Sequence, residues 1–340
     1  MSGKSKVSLA QVALHSGVST TTASMVLSNR WREFRIAPAT RDTVLAAAQE
    51  LGYTTKRSPR PRSSQLWAIF APSDFDLGPT SEFYRGVHGW LREQDLGIEV
   101  VVFPFERGAL RDKVSWLSPS FAAGAIMLGL GEDDVAFLER ERIEIPLVLV
   151  NRVAKNWPSV MTDDYTVGDL VADHFARRGL KHVAMIIPTV SARSQSLRIV
   201  GFEDHARRFT RAEQGEIPQA FGTNDITGGH AAIAKLLPTL ERSTGIFVLN
   251  DGMVGGVMNG LLDAGWSVPG DVEVVSYGNG SVNALLRPSV TSVVTPLTEM
   301  SRDAARALSV ATEPDGLPGT PTSLFDVTLA YRDSSPAPDA

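Results

Sequence analysis

Residues 20–28 read Thr-Thr-Thr-Ala-Ser-Met-Val-Leu-Ser. Wound as a helix, they place Ala23, Val26 and Leu27 on one narrow apolar stripe. The opposite face then shows Thr20, Thr21, Ser24, Met25 and Ser28, whose hydroxyls can each donate or accept a hydrogen bond. The surrounding charge has a chemistry of its own. Residues 1–66 hold 10 Lys/Arg (Lys4, Lys6, Arg30, Arg32, Arg35, Arg41, Lys56, Arg57, Arg60, Arg62) against 3 acids (Glu33, Asp42, Glu50), a net +7. The whole chain has 33 basic and 38 acidic residues, so the remainder has 23 against 35, or −12. A basic head can neutralise phosphates; an acidic body is repelled by them.

Other chemistries find no support. There is no phosphate-cradling Gly-x4-Gly-Lys-Ser/Thr and no Gly-x-Ser-x-Gly elbow, and Gly129-Leu-Gly131 lacks the third glycine of a dinucleotide loop. His15, His88, His174, His182, His205 and His230 are scattered without metal-ligand spacing. Carboxylates are plentiful but form no distinctive pair. No catalytic residue, metal site or cofactor is expected. With no cysteine there are no disulfides or thiolate sites, which fits a reducing, cytoplasmic setting. No secretory signal and no membrane span is expected.

The elements that must carry the hydroxyl face are three short helices. The first is predicted over Ser8–His15, with Ser8 as N-cap and Leu9, Val12 and Ala13 buried. Gly17 suits the sharp turn that follows, and Ser19 caps the helix over Thr20–Ser28. A third is predicted over Pro38–Leu51, burying Val44, Ala48 and Leu51, with Gly52 as its stop. Two helices joined by a tight turn, with a small polar outer face, make a helix-turn-helix. A three-helix unit that binds protein is the alternative.

From Leu66 onward, apolar runs alternate with amphipathic stretches. Buried parallel strands are predicted over Leu66–Pro72, Ile98–Pro104, Gly124–Leu128 and Pro146–Val150. Helices are predicted between them near Glu82–Gln94, Ala109–Leu117 and Val135–Glu141. A second set has strands near His182–Ile187, Glu216–Phe221, Ile246–Asn250 and Val272–Tyr277. Its helices lie near Val167–Arg178, Leu197–Phe209, Gly228–Thr239 and Met253–Ala264. This is an α/β body of two doubly wound subdomains, which bind ligands at the carboxyl ends of their strands, in the cleft between halves. Asn151, ending the fourth strand, and Asp74, after the first, are candidates there.

Several ordered motifs carry a resemblance. In the head they are Val7-Ser-Leu-Ala-Gln-Val-Ala13, Gly17-Val-Ser-Thr-Thr-Thr-Ala-Ser-Met-Val-Leu27 and Thr40-Arg-Asp-Thr-Val-Leu-Ala-Ala-Ala-Gln-Glu-Leu-Gly-Tyr53. In the body they include Thr162-Asp-Asp, Arg178-Gly-Leu-Lys-His-Val-Ala184, Arg198-Ile-Val-Gly-Phe202, Asn250-Asp-Gly-Met253 and Leu329-Ala-Tyr-Arg-Asp-Ser-Ser335. Together they resemble the LacI/GalR transcriptional regulator family, whose body is of periplasmic-binding-protein type. The resemblance implies a helix-turn-helix domain over 1–53, a basic Pro-containing hinge over 54–65, and an effector-binding and dimerisation domain over 66–335. One subdomain would comprise 66–161 plus about 297–322, the other 162–296 plus about 323–335, with 336–340 as a tail. It implies a DNA-binding regulator, by family habit a repressor, working as a homodimer on a roughly palindromic operator under a small-molecule effector. By position, Thr20, Thr21 and Ser24 would enter the major groove, while Ser8, Thr22, Asn29 and Tyr53 would touch phosphates. Arg198 and Asn250 would bind effector. The alternative for Arg198 is an ion pair that orients its helix; for Asn250 it is a strand-end cap. A small-molecule-binding protein with a vestigial head is the alternative for the whole.

Four departures stand out. Met25 replaces the family's usual Arg; it can pack on a thymine methyl but cannot fork onto guanine. The stretch Asn29-Arg-Trp-Arg-Glu-Phe-Arg-Ile36 is about three residues longer than usual, and its aromatics can either grip DNA or pack on the head. Pro59 and Pro61 oppose the family's hinge helix, and no apolar wedge residue is present. Lys56, Arg57, Arg60 and Arg62 could still follow a narrow minor groove, or simply make a flexible basic linker. In the body, Ser276-Tyr-Gly-Asn279 has Gly278 where the family's sugar-binding Asp stands, and Leu297 takes the place of a stacking aromatic. These departures speak against a standard sugar effector and leave open a modified sugar, a phosphorylated or acidic molecule, or no ligand at all.

Overall fold

The computed structural model describes residues 7–27, 31, 34, 36–51, 53, 66–73, 77–189, 193–210, 216–312 and 322–338. Two compact units divide the chain, Met1–Arg62 and Ser63–Ala340.

The first unit is built on helices α1 (Leu9–His15), α2 (Thr20–Leu27) and α3 (Pro38–Glu50). Val12, Ala13, Ala23, Val26, Val44, Ala47 and Ala48 form its core. These small and branched side chains let three short helices approach closely, and that packing supplies stability such helices lack alone. Ser8 caps α1 in a capping box: its hydroxyl accepts from the Gln11 amide at 3.4 Å, and its own amide donates to Gln11 Oε1 at 2.6 Å. Gly17 turns the chain at φ +67 before α2. Leu9 and Leu51, expected in the core, are half-buried at its edge, because so small a core leaves its rim open.

The second unit holds two six-stranded sheets. The first contains β1 (Leu66–Pro72), β2 (Glu99–Phe105), β3 (Gly124–Met127), β4 (Leu147–Val150), β5 (Ser159–Thr162) and β11 (Ser323–Phe325), ordered β11-β5-β4-β3-β1-β2 and all parallel. The second contains β6 (His182–Pro188), β7 (Gln219–Gly222), β8 (Thr244–Val248), β9 (Val272–Tyr277), β10 (Thr291–Val294) and β12 (Thr328–Ala330), ordered β12-β10-β9-β8-β6-β7, with β12 antiparallel. Strands β1, β3, β4 and β8 are almost wholly buried, as continuous apolar runs covered on both faces should be. In the first half the crossovers are helices α4 (Leu77–Glu93) and α5 (Glu132–Arg140); in the second they are α6 (Asp164–Arg177), α7 (Arg193–Ala206), α8 (Ile226–Leu236) and α9 (Asp251–Asp263). Helix α10 (Leu297–Ala311) lies on α4 and buries Met300, Ala304, Ala305 and Leu308 in the first half's core.

The repeating pattern of strand and helix thus folds as expected, with three corrections. Residues 110–116 form a 3-10 turn where a helix was expected. The second strand of the second half begins at Gln219 rather than Glu216. The boundary near residue 323 also moves: β11 pairs with β5, so the chain stays in the first sheet until Phe325 and only then crosses to β12. Strands this short carry too little hydrophobic period to announce their sheet. Among the described residues no helix is long and apolar enough to cross a membrane.

Candidate functional site

On α2, burial of Ala23 and Val26 fixes the helix's rotation. Thr20 and Thr21 are exposed; Ser24 and Met25 are half-buried. Ser19 accepts from the Thr22 amide at 3.0 Å, and its hydroxyl also meets the Thr22 hydroxyl at 2.8 Å. Thr22 is therefore tied into the helix cap, as Ser8 is on α1. Tyr53 packs partly on the core, and its amide donates to the Ala48 carbonyl at 2.8 Å. Of the linker aromatics, Trp31 packs on the head's core with the Arg41 guanidinium 4.9 Å from its ring, while Phe34 is exposed. Asn29, Lys56, Arg57 and the expected hinge lie outside the described residues.

In the second half, Arg198 comes from the middle of α7. Its Nε donates to Asp164 Oδ1 at 2.7 Å, its Nη1 reaches the Leu249 carbonyl at 3.4 Å, and its Cζ lies 3.4 Å from the Tyr277 ring centroid. Only 7% of Arg198 and 2% of Asp164 are exposed. Burial works against the charge on Arg198, but Tyr277 and Asp164 outweigh it and hold its pKa above the ordinary value. Burial raises the Asp164 carboxyl, against the pull of Arg198. The pair sits where α6 and α7 touch backbone to backbone: a Cβ on Gly168 would lie 2.1 Å from the Arg198 carbonyl. Asn250 is the N-cap of α9, its side chain accepting from the Gly252 amide at 3.0 Å. Both residues thus realise the structural alternatives stated for them, while standing at the carboxyl ends of β8 and β9.

Gly278 has φ +100, and a Cβ there would lie 2.6 Å from Asp251 Oδ2. The Asp251 carboxylate thus lies where a side chain at 278 would begin. It is committed to protein donors: the Ser276 hydroxyl at 2.7 Å, Asn283 Nδ2 at 2.6 Å and the Gly280 amide at 2.7 Å.

In the first half, Asn151 ends β4 at φ +53, and its Oδ1 accepts from the Thr162 amide at 3.0 Å. Asp74 lies outside the described residues. The next residue, Arg152, was not singled out by its sequence, yet it is 8% exposed. Its Nε donates to the Leu130 carbonyl at 2.6 Å and its Nη1 to the Asn151 carbonyl at 2.6 Å. Nη1 also lies 3.3 Å from Ser194 Oγ, on the first turn of α7, so Arg152 spans the two halves. Arg107, on the loop after β2, donates from Nη1 to the Gly129 carbonyl. Buried Asp134 fixes that loop by accepting from the amides of Gly108, Leu110 and Gly131. Burial, then the neighbouring Arg107, pulls the Arg152 pKa down, with Asp164 pulling the other way. The one available sequence signal for Arg152 was a charged residue directly after the wholly apolar strand Leu147–Val150. Among the described residues no cluster of three or more His, Asp or Glu is placed to hold a metal.

A two-lobed α/β body with residues gathered at its strand ends, joined to a helix-turn-helix unit, defines a ligand-binding regulator class. The comparisons name it. Residues 8–56 match the bacterial regulatory proteins of the lacI family, and residues 172–335 match a periplasmic binding protein-like domain. The chain is 25% identical over 335 residues to the HTH-type transcriptional repressor CytR of Escherichia coli K12, covering 96% of this chain and 95% of CytR. It is 27% identical over 194 residues to the HTH-type transcriptional regulator GalR of the same organism, covering 56% of each. A crystal structure of the lac repressor dimer bound to operator and the anti-inducer ONPF superposes with a TM-score of 0.69 at 23% identity, covering 98% of this chain and all of that one. The chain belongs to the LacI family: it is a transcriptional regulator with a DNA-binding head and an effector-binding domain. Its relatives are regulators, not enzymes.

Proposed function

We propose that the protein is a repressor that binds a roughly palindromic operator as a homodimer and is controlled by a small molecule in the cleft. One observation carries the DNA half of this reading. Thr20 and Thr21 face solvent, with Ser24 and Met25 beside them, on the side of α2 opposite the buried Ala23 and Val26. In a major groove, hydroxyls there can bond to base edges and Met25 can meet a thymine methyl, each good contact giving about 1–3 kcal/mol of discrimination. Ser8, Thr22, Asn29 and Tyr53 are assigned to the phosphates, which set register, and Lys56 and Arg57 to a narrow minor groove. Two-fold symmetry of the dimer would be mirrored in the half-sites.

The effector half rests on Asn151, Asn250 and Gly278 at strand ends and on Arg198 from α7, with Asp74, which follows β1 in the sequence. A ligand there would shift closure of the two halves. The CelR structure at 24% identity is a cellobiose complex, and an Enterococcus faecium neighbour at 21% holds ribose. Here Gly278 offers no side-chain acceptor, so a plain sugar is disfavoured.

The test is genome-wide mapping of bound sites, followed by binding of the recovered duplexes to Thr21→Ala plus Ser24→Ala. Specific retention disappears in the double variant while the body's melting is unchanged. Wild-type affinity in that variant would remove α2 as the reading helix.

A further inference from the structure

We propose that the effector is an acid whose carboxylate or phosphate docks on Arg152, beside Arg107 and the first turn of α7. This rests on the effector-responsive reading above and names its ligand class. The geometry gives three reasons.

First, Arg152 is a buried charge with no carboxylate in direct contact, although Asp164 and Glu132 act on it from farther off. It is 8% exposed, and among the described residues no carboxylate oxygen lies within the 4.0 Å of an ion pair. Its hydrogen-bond partners are two carbonyls and one hydroxyl, all neutral. Buried cations in folded proteins are normally paired, because desolvation is otherwise uncompensated.

Second, apart from Glu132 at the start of α5, the nearby carboxylates are already committed. Asp164 holds Arg198, Asp134 holds three backbone amides, Asp163 caps α6, and Asp251 holds Ser276, Asn283 and Gly280. Gly278 adds none.

Third, Arg152 meets the amino end of a helix. Ser194 is the second residue of α7, whose 14 residues begin with Arg193 and carry no acid in the first turn. A helix amino terminus carries partial positive charge, so two like ends face each other. An anion bound beside both relieves both, and the flat guanidinium of Arg suits either a carboxylate or a phosphate.

The experiment is a thermal-shift comparison on the full chain at matched ionic strength. The probes are glucose, glucuronate, glucose 6-phosphate and inorganic phosphate. At least one acid raises the melting temperature, and glucose does not. A response to glucuronate alone identifies a carboxylate; a response to the phosphates alone identifies a phosphate. Arg152→Gln loses the shift, and Arg152→Lys keeps part of it. An equal shift with glucose, an undiminished acid shift in Arg152→Gln, or no shift with any probe overturns the proposal. The acid-versus-neutral comparison needs only the wild-type chain, so it decides even where a variant fails to fold. Failure here with operator retention intact removes the acidic ligand but leaves the regulator; loss of operator retention removes the regulator itself.

Discussion

Two arginines from opposite halves are buried almost equally, at 7% and 8% exposure, yet they live in opposite electrostatic settings. Arg198 has Asp164 at 2.7 Å and the face of Tyr277 below it. Arg152 has backbone carbonyls, a serine hydroxyl and the field of Arg107. A charge paired within its own half locks helices together. A charge left unpaired at the border of two halves is a place for something that arrives later. Burial alone would have ranked them equal; the partner is what separates structure from signal.

The contrast can be broken most severely at Asp164. Asp164→Ala turns Arg198 into a second unpaired buried cation, and chemical denaturation should show a loss of about 3–5 kcal/mol. A loss below about 1 kcal/mol would mean that Arg198 depends on its partner no more than Arg152 does and that the distinction is empty.

A second difference between the halves is a buried histidine. His174 Nε2 lies 2.6 Å from Ser335 Oγ, which donates to Glu273, itself paired with Arg178. Burial lowers the His174 pKa from 6.5 to about 4. A histidine whose folded pKa is depressed binds fewer protons folded than unfolded. Stability is therefore full above the unfolded value and is lost as pH falls from about 6.5 towards 4, by roughly 3 kcal/mol. Carboxylates titrate in the same window, so the measurement is the difference between wild type and His174→Gln from pH 7 to pH 4. Parallel curves would contradict the assignment.

Placing at 278 the acid that the family resemblance implies there sharpens the comparison from the other wall. Gly278→Asp puts a Cβ into left-handed backbone and against the Asp251 carboxylate, and should destabilise the chain by about 2 kcal/mol. It also places a like charge near an acidic ligand, so any acid-induced thermal shift should shrink. An unchanged melting temperature would show that the loop relaxes around the new side chain.

The smallest effect is expected at Arg152 without ligand. Arg152→Met removes an unpaired charge but orphans the Leu130 and Asn151 carbonyls. The two terms nearly cancel, leaving a change within about 1 kcal/mol. A loss as large as that of Asp164→Ala would give Arg152 the structural role instead.

The head was legible because its signals are local. Ser8 and Ser19 as caps, Gly17 as the turn and the Ala23/Val26 stripe act within one or two turns of helix, and each stands where the pattern placed it. The repeating strands and helices of the body were legible for a similar reason, since β1 and β4 are unbroken apolar runs. Strands β5 and β11 escaped notice because four and three residues are too short to show a period. The cleft was harder. Arg198 was visible by resemblance, but its partner Asp164 stands 34 positions away, and the neutral surroundings of Arg152 come from loops after β3 and β4 and from α7. Whether a buried charge is paired is a property of long-range contacts, which residue order alone does not display.

The central claim is that α2 reads DNA. Its most direct test is a salt titration of the full chain on a duplex recovered from the bound-site map. The account predicts that affinity falls steeply and linearly on a log–log plot, that specific exceeds random duplex throughout, and that Thr21→Ala plus Ser24→Ala collapses the two lines while keeping the slope. A flat salt response, or equal binding to specific and random duplex by the wild-type chain, would contradict it.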